Sequence, residues 1–147
     1  MDITLRDAVP PEAAALSAIA LRAKGHWGYA PEKLAIWRDE FLTVSPEYIQ
    51  SNHVWVAADG QQAVGFAAVT QYGDEAILEH LWVLPDYIGH GIGKRLFLHV
   101  AATIPAFVFT SDPHADAFYR KMGAQPIGDY YSVLQENTLT KFQYMAK

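Results

Sequence analysis

The run from Leu81 to Leu96, LWVLPDYIGHGIGKRL, gathers the residues of this chain best suited to holding an anion. An apolar stretch ends at Pro85, glycines follow at 89, 91 and 93 with His90 and Ile92 between them, and a helical pattern starts at once. Without Cβ atoms, glycines let backbone N–H groups close on an anion, and a helix N-terminus adds the positive end of its dipole. Lys94 and Arg95 add fixed positive charge. Two common phosphate loops are excluded. A dinucleotide fingerprint begun at Gly89 and Gly91 needs a glycine where Lys94 stands, and Gly89 and Gly93 enclose one residue too few for a P-loop. A second turn, Ser111–Ala124, reads as a capped helix: Asp112 suits the N-cap, Pro113 the first turn and Gly123 the C-cap. Ala115, Phe118 and Met122 recur at helical spacing and predict its buried stripe. Tyr119, about 100° round from Phe118, is expected to point out of that stripe.

Together these two segments resemble the GCN5-related N-acetyltransferases (GNAT). In that family a strand ending V-x-P leads into an x-x-G-x-G turn that opens a helix. Val83-Leu84-Pro85 followed by Tyr87-Ile88-Gly89-His90-Gly91-Ile92-Gly93 is similar to it. The family's later motif, a polar turn and a helix ending Phe/Leu-Tyr-x-x-x-Gly, is matched by Asp112 to Gly123. The departures are Ile88 for the usual Arg or Gln, Asp112 for the common Asn, and Ala124 for the usual Phe. Ile88 removes one side-chain contact to a pyrophosphate and leaves the work to backbone amides and Lys94.

The resemblance implies direct transfer of an acetyl group from acetyl-CoA, a cosubstrate, to a primary amine of a small molecule or peptide. The other class it leaves open is a non-catalytic acyl-CoA-binding sensor or interaction module of the same fold. It further implies that acetyl-CoA is bound by Leu81, Val83, Ile88–Lys94, Asp112 and Tyr119. The free strand edge near Leu81 and Val83 would hold the pantetheine arm and aim one N–H at the thioester carbonyl. Such an oxyanion donor contributes about 3 kcal/mol in other enzymes. Tyr119 takes the family's thiol-protonating role, a phenol of ordinary pKa about 10 being near an alkyl thiol in acidity, with aromatic packing as its other reading. Glu79 stands either as the general base, acting through water, or as a solvated strand residue. His80 points to the opposite face from Glu79 and reads as a packed or hydrogen-bonded histidine. His26, Trp27 and Tyr29 fall where the family builds its acceptor pocket. An aromatic face there could receive an ammonium, or the aromatics could cap a helix junction; His26 could be a second base or a hydrogen-bond partner. Many relatives form homodimers, but no residue here designates a surface.

Composition narrows the classes. Net charge −5 argues against a nucleic-acid surface, and the absence of cysteine removes disulfides, thiolate metal sites and cysteine nucleophiles. The histidines at 53, 90, 99 and 114 show no helical pairing, so no metal site is expected. No apolar run reaches about 18 residues and no signal-peptide core opens the chain, so the expected setting is soluble and cytoplasmic, away from membranes.

These residues need elements to position them. At 147 residues, 51% of them hydrophobic, the chain reads as one domain, 1–147. Helices are predicted from Pro10 with Leu16, Ile19 and Ala23 on one face, from Pro31 with Leu34, Trp37 and Phe41, and briefly after Ser45-Pro46. Strands are predicted at Ile3–Arg6, Val54–Ala58, Ala63–Tyr72, Ala76–Val83, Pro105–Thr110, Tyr130–Leu134 and Leu139–Met145, with a helix over Gly91–Thr103. Strands and helices thus alternate in a mixed α/β (α+β) order. The resemblance implies the acyl-CoA N-acyltransferase arrangement, a central twisted mixed sheet with splayed strands flanked by helices.

Overall fold

Consecutive burial from Val64 to Thr70 marks where the core lies. These residues belong to strand β3, Gln62–Tyr72, and an unbroken buried run requires cover on both faces of a sheet. A computed structural model, which describes residues 1–146, supplies that cover from two helices. Helix α1, Ala13–Gly25, packs on β3 and β4 (Glu75–Val83); helix α4, Ile92–Thr103, packs on β2 (His53–Asp59), β3 and β4. Leu16, Ile19, Ala20 and Ala23 form the buried face of α1, as the spacing predicts. Between them lie α2, Pro31–Trp37, and α3, Pro46–Ser51, whose N-cap Ser45 accepts from the Tyr48 amide.

The sheet is completed by β1, Ile3–Asp7, β5, Ala106–Ser111, β6, Gln125–Ser132, and β7, Asn137–Met145, in the order β1-β2-β3-β4-β5-β7-β6. Neighbours are antiparallel except β4 and β5, which α4 connects as a parallel crossover. That pair has one registered partnership, Ile77 with Val108. From Leu78 to Val83, β4 has no registered partner on its β5 side, so the two strands part there.

Three elements differ from the sequence expectation. The helix from Pro31 is regular only to Trp37 and continues as a π-helical turn, Arg38–Leu42. Trp37 and Leu42 are both buried yet stand about 140° apart on a regular α-helix; the wider turn brings them round to one side. Strand β6 starts at Gln125 and ends at Ser132, so Leu134 falls in the turn beyond it, where its carbonyl accepts from Trp37 Nε1 at 3.1 Å. Seven of its eight residues are exposed, so no apolar alternation announces it. After Asp112, a single 3-10 turn, Pro113–Ala115, precedes the short helix α5, Asp116–Lys121. Tyr119 is the buried residue of α5, while Ala115, Phe118 and Met122 are half-buried, the reverse of the predicted stripe. The helix turns Tyr119 into the aromatic layer of β5 and β7 and leaves Phe118 over the first turn of α4, where a Cβ on Gly93 would lie 3.5 Å from its ring.

Candidate active site

Where β4 leaves β5, a cleft of about 380 Å³ opens, walled by Leu81, Val83, Phe109, Asp112, Phe118 and Tyr119 among others. One edge of β4 there carries N–H and C=O groups with no strand to receive them, and such groups require partners. Ile88 and Gly93 bring the glycine loop to this cleft. Gly89 and Gly91 have φ of +89° and +77°, a region that glycine enters at little cost, and Gly91 is the N-cap of α4. The amides of Gly89, His90 and Gly91 make no backbone hydrogen bond among the described residues. Those of Ile92, Gly93 and Lys94 precede the helix's own ladder. The loop therefore offers a run of free donors, fit for the phosphates of a nucleotide cosubstrate. Lys94 is exposed beside it, while Arg95 turns away to donate to the Ile3 carbonyl at 3.0 Å.

The Tyr119 ring is 8% exposed and lies among Phe109, Phe118, Phe142 and Phe97, with centroids 4.5, 5.1, 5.9 and 6.1 Å away. Its hydroxyl has no hydrogen-bond partner among the described residues although the residue lines the cleft. Burial, with the Asp112 charge added, pushes its phenol well above the ordinary value. A neutral donor is therefore held ready at the cleft wall.

Glu79 lies at an irregularity of β4. Val69 pairs with Leu78 and Ala68 with His80, so Glu79 is the extra residue of a bulge, a device that re-aims a side chain. It is exposed and accepts from Tyr48 Oη at 2.7 Å. Glu79 also lines a second cleft of about 580 Å³, shared with Glu40, Tyr48, Glu75, His80 and Lys141. The two clefts meet at Phe41, Leu78, Glu79, Phe109 and Thr110. His80 is buried, its Nδ1 accepts from Trp82 Nε1 at 2.9 Å, and burial pushes its pKa down to about 4. It is neutral over the ordinary pH range.

At the other end of the first cleft, Asp112 organises three segments. It accepts from Lys24 Nζ at 2.6 Å and Tyr29 Oη at 2.7 Å, and it caps the turn through the His114 amide at 2.9 Å. Burial opposes its ionisation, yet the hydrogen bonds from Lys24, Tyr29 and His114 outweigh that and hold its pKa at about 2. Lys24 is 2% exposed, also donates to Gln135 Oε1 at 2.9 Å, and has the Tyr29 and Trp37 rings 5.0 and 5.3 Å from its ammonium. Burial pulls its pKa down against the pull of Asp112. The signal for Lys24 in the sequence is its place four residues after Ala20, on the buried face of α1. Trp27 lines the same cleft, stacked on His114 with centroids 4.8 Å apart. His26 is exposed and packs edge-on to Trp27; neither it nor Tyr29 lines the cleft. Among the described residues no cluster of His, Asp and Glu is placed to hold a metal ion, and no helix is long and apolar enough to cross a membrane.

A family model described as an acetyltransferase (GNAT) domain matches residues 50–123. The peptidyl-lysine N-acetyltransferase YjaB of Salmonella typhimurium is 31% identical over 96 residues, and the match spans 63% of this chain and 63% of that protein's length. Among solved structures, the PaiA N-acetyltransferase of Thermoplasma acidophilum in complex with coenzyme A matches with a TM-score of 0.79 at 18% identity over 99% of each chain. Apo-form YjaB of Escherichia coli matches with a TM-score of 0.76 at 23% identity over 100% of each chain. Both share the overall fold described above.

Proposed function

The chain belongs to the GNAT acetyltransferase family, and from that premise we propose that it is a single-domain N-acetyltransferase moving the acetyl group of acetyl-CoA directly to a primary amine. The observation that carries this reading is the parting of β4 from β5. It leaves the Leu81–Val83 edge free along a cleft that also receives the unpaired Tyr119 hydroxyl. The pantetheine arm lies along that edge with its amides in place of a strand, and the free amides of the glycine loop take the pyrophosphate. Supporting this assignment are the positive φ of Gly89 and Gly91 and the coenzyme A complex named for the Thermoplasma relative.

The amine approaches from the second cleft, past Glu79. The Glu79 carboxylate takes a proton from the attacking ammonium, directly or through a water. The nitrogen then forms its bond to the thioester carbon. A free N–H of the β4 edge stabilises the oxyanion as the carbonyl opens. As the C–S bond breaks, the Tyr119 hydroxyl donates a hydrogen bond to the departing sulfur. The nitrogen sheds its second proton, which reaches the thiolate through Tyr119 or solvent, and the amide and free thiol are the products. The acceptor is a small amine or a peptide amine. The peptidyl-lysine activity named for the Salmonella relative supports the latter.

The test is thiol release from acetyl-CoA across alkylamines, amino-acid amides and lysine peptides, with mass detection of the acetylated product. Repeated turnover on at least one amine is the expected result. Tight coenzyme binding with no turnover on any amine would overturn the enzyme in favour of an acyl-CoA-binding module.

A further inference from the structure

His80 has a use that its burial conceals. Indole Nε1–H can only donate, so the 2.9 Å contact from Trp82 requires that His80 Nδ1 carry no proton. A neutral imidazole then bears its proton on Nε2. That nitrogen has no hydrogen-bond partner among the described residues, on a side chain 7% exposed, and His80 lines the second cleft beside Glu79. Tyr48 stands perpendicular to the imidazole and Phe66 packs at 5.4 Å, so the ring has little freedom to turn. A fixed N–H donor, unpaired yet accessible on a side chain that lines a cleft, is placed to meet an oxygen from a ligand. Glu40, Glu75 and Glu79 against Lys141 leave the lining net negative, which disfavours a carboxylate there and leaves a neutral carbonyl.

Given that the first cleft takes the acyl-CoA, as proposed above, the acceptor occupies the second. We propose that His80 is a binding residue whose Nε2–H donates to an amide carbonyl of the acceptor, so that the acceptor is a peptide-like amine rather than a bare alkylamine. It selects the substrate and moves no proton. With Nδ1 committed to Trp82 and Nε2 already protonated, His80 has no free lone pair to act as a base.

The test is ¹⁵N NMR of the histidine rings in the coenzyme A complex, titrated with Nα-acetyl-lysine N-methylamide and, separately, with hexylamine. The expected spectrum shows the Nε2–H tautomer of His80, shifting with the amide-bearing amine and not with hexylamine. His80→Phe, checked for folding by circular dichroism, should weaken binding of the amide-bearing amine about fivefold, a neutral hydrogen bond's worth, and leave hexylamine unchanged. His80→Gln, which keeps a donor near the Nε2 position, should restore most of the loss. An Nδ1–H tautomer, an absent shift with the amide-bearing amine, or equal losses for both amines would each overturn the assignment. If wild type turns over no amine of the wider panel while the selective shift persists, the transferase reading fails and the binding role of His80 stands.

Discussion

Tyr119 shows how much a residue's surroundings change its chemistry. A phenol at its ordinary pKa of about 10 would pass a proton to an alkyl thiolate almost without cost. Here burial among Phe97, Phe109, Phe118 and Phe142, and secondarily the Asp112 charge, raise it well above that. Complete transfer is therefore uphill, and in the proposed mechanism Tyr119 acts first as a hydrogen-bond donor to the sulfur as charge develops on it. Tyr119→Phe keeps the ring and its packing. The expected kcat falls about 10²-fold, roughly 2.7 kcal/mol of transition-state stabilisation, with acetyl-CoA affinity little changed. Because the phenol stays protonated, Tyr119 contributes no alkaline loss of activity below about pH 10. Steady-state kinetics over pH with a separate binding measurement check both points; normal turnover by the Phe variant would make Tyr119 a packing residue.

Among the elements, the loop into α4 works through its backbone. An added Cβ at Gly91 meets nothing within 4 Å, so a side chain there is not excluded by crowding in the protein itself. The obstacle is φ of +77°, which costs a non-glycine residue about 1–2 kcal/mol and a β-branched one more. Relaxing that strain would move the amides off the pyrophosphate that the proposed function seats there. Gly91→Val should therefore raise the dissociation constant for coenzyme A at least tenfold, about 1.4 kcal/mol, with the far-ultraviolet circular dichroism intact. Gly91→Asn, which tolerates the left-handed region, should lose less. Calorimetric titration decides; unchanged affinity in a folded Val variant would remove the phosphate cradle from the mechanism.

At the scale of the whole molecule, the Lys24–Asp112 pair ties α1 to the turn before α5, and Gln135 ties both to the β6–β7 turn. The Asp112 carboxyl titrates at about 2 when folded, below its ordinary value of about 3.9. It therefore adds stability that is full above about pH 4 and lost as pH falls through about 2. Burial of Lys24 works the other way: its folded pKa is lowered, so carrying that charge into the interior costs stability wherever the ammonium persists. The intact pair is thus worth little net, whereas a lone buried carboxylate is costly. Lys24→Met should destabilise by about 3 kcal/mol, and Lys24→Met with Asp112→Asn, which keeps the cap to His114, should recover most of it. Urea denaturation at pH 7 measures both. If the double variant is as unstable as the single one, the cost lies in lost packing of the lysine stem rather than in the stranded charge.

Local signals carried much of this protein. Proline and glycine punctuation and two apolar periods place most of the strands and helices. The glycine triplet and the Asp112–Gly123 segment mark the loop and the helix that carry the site, because turns, caps and motifs depend on neighbours in the chain. Side-chain direction on short elements did not follow. Six residues of α5 are too few for their own periodicity to prevail, so the aromatic layer of β5 and β7 decides that Tyr119, not Phe118, is buried. The bulge that turns out Glu79 appears only when β3 is laid beside β4, and the proton on His80 Nε2 only when Trp82 is folded against it. Lys24 and Asp112 stand 88 residues apart in sequence. Their contact, like the parting of β4 from β5, is set by how distant segments pack, because burial and pairing are properties of the assembled sheet and not of any stretch of chain within it.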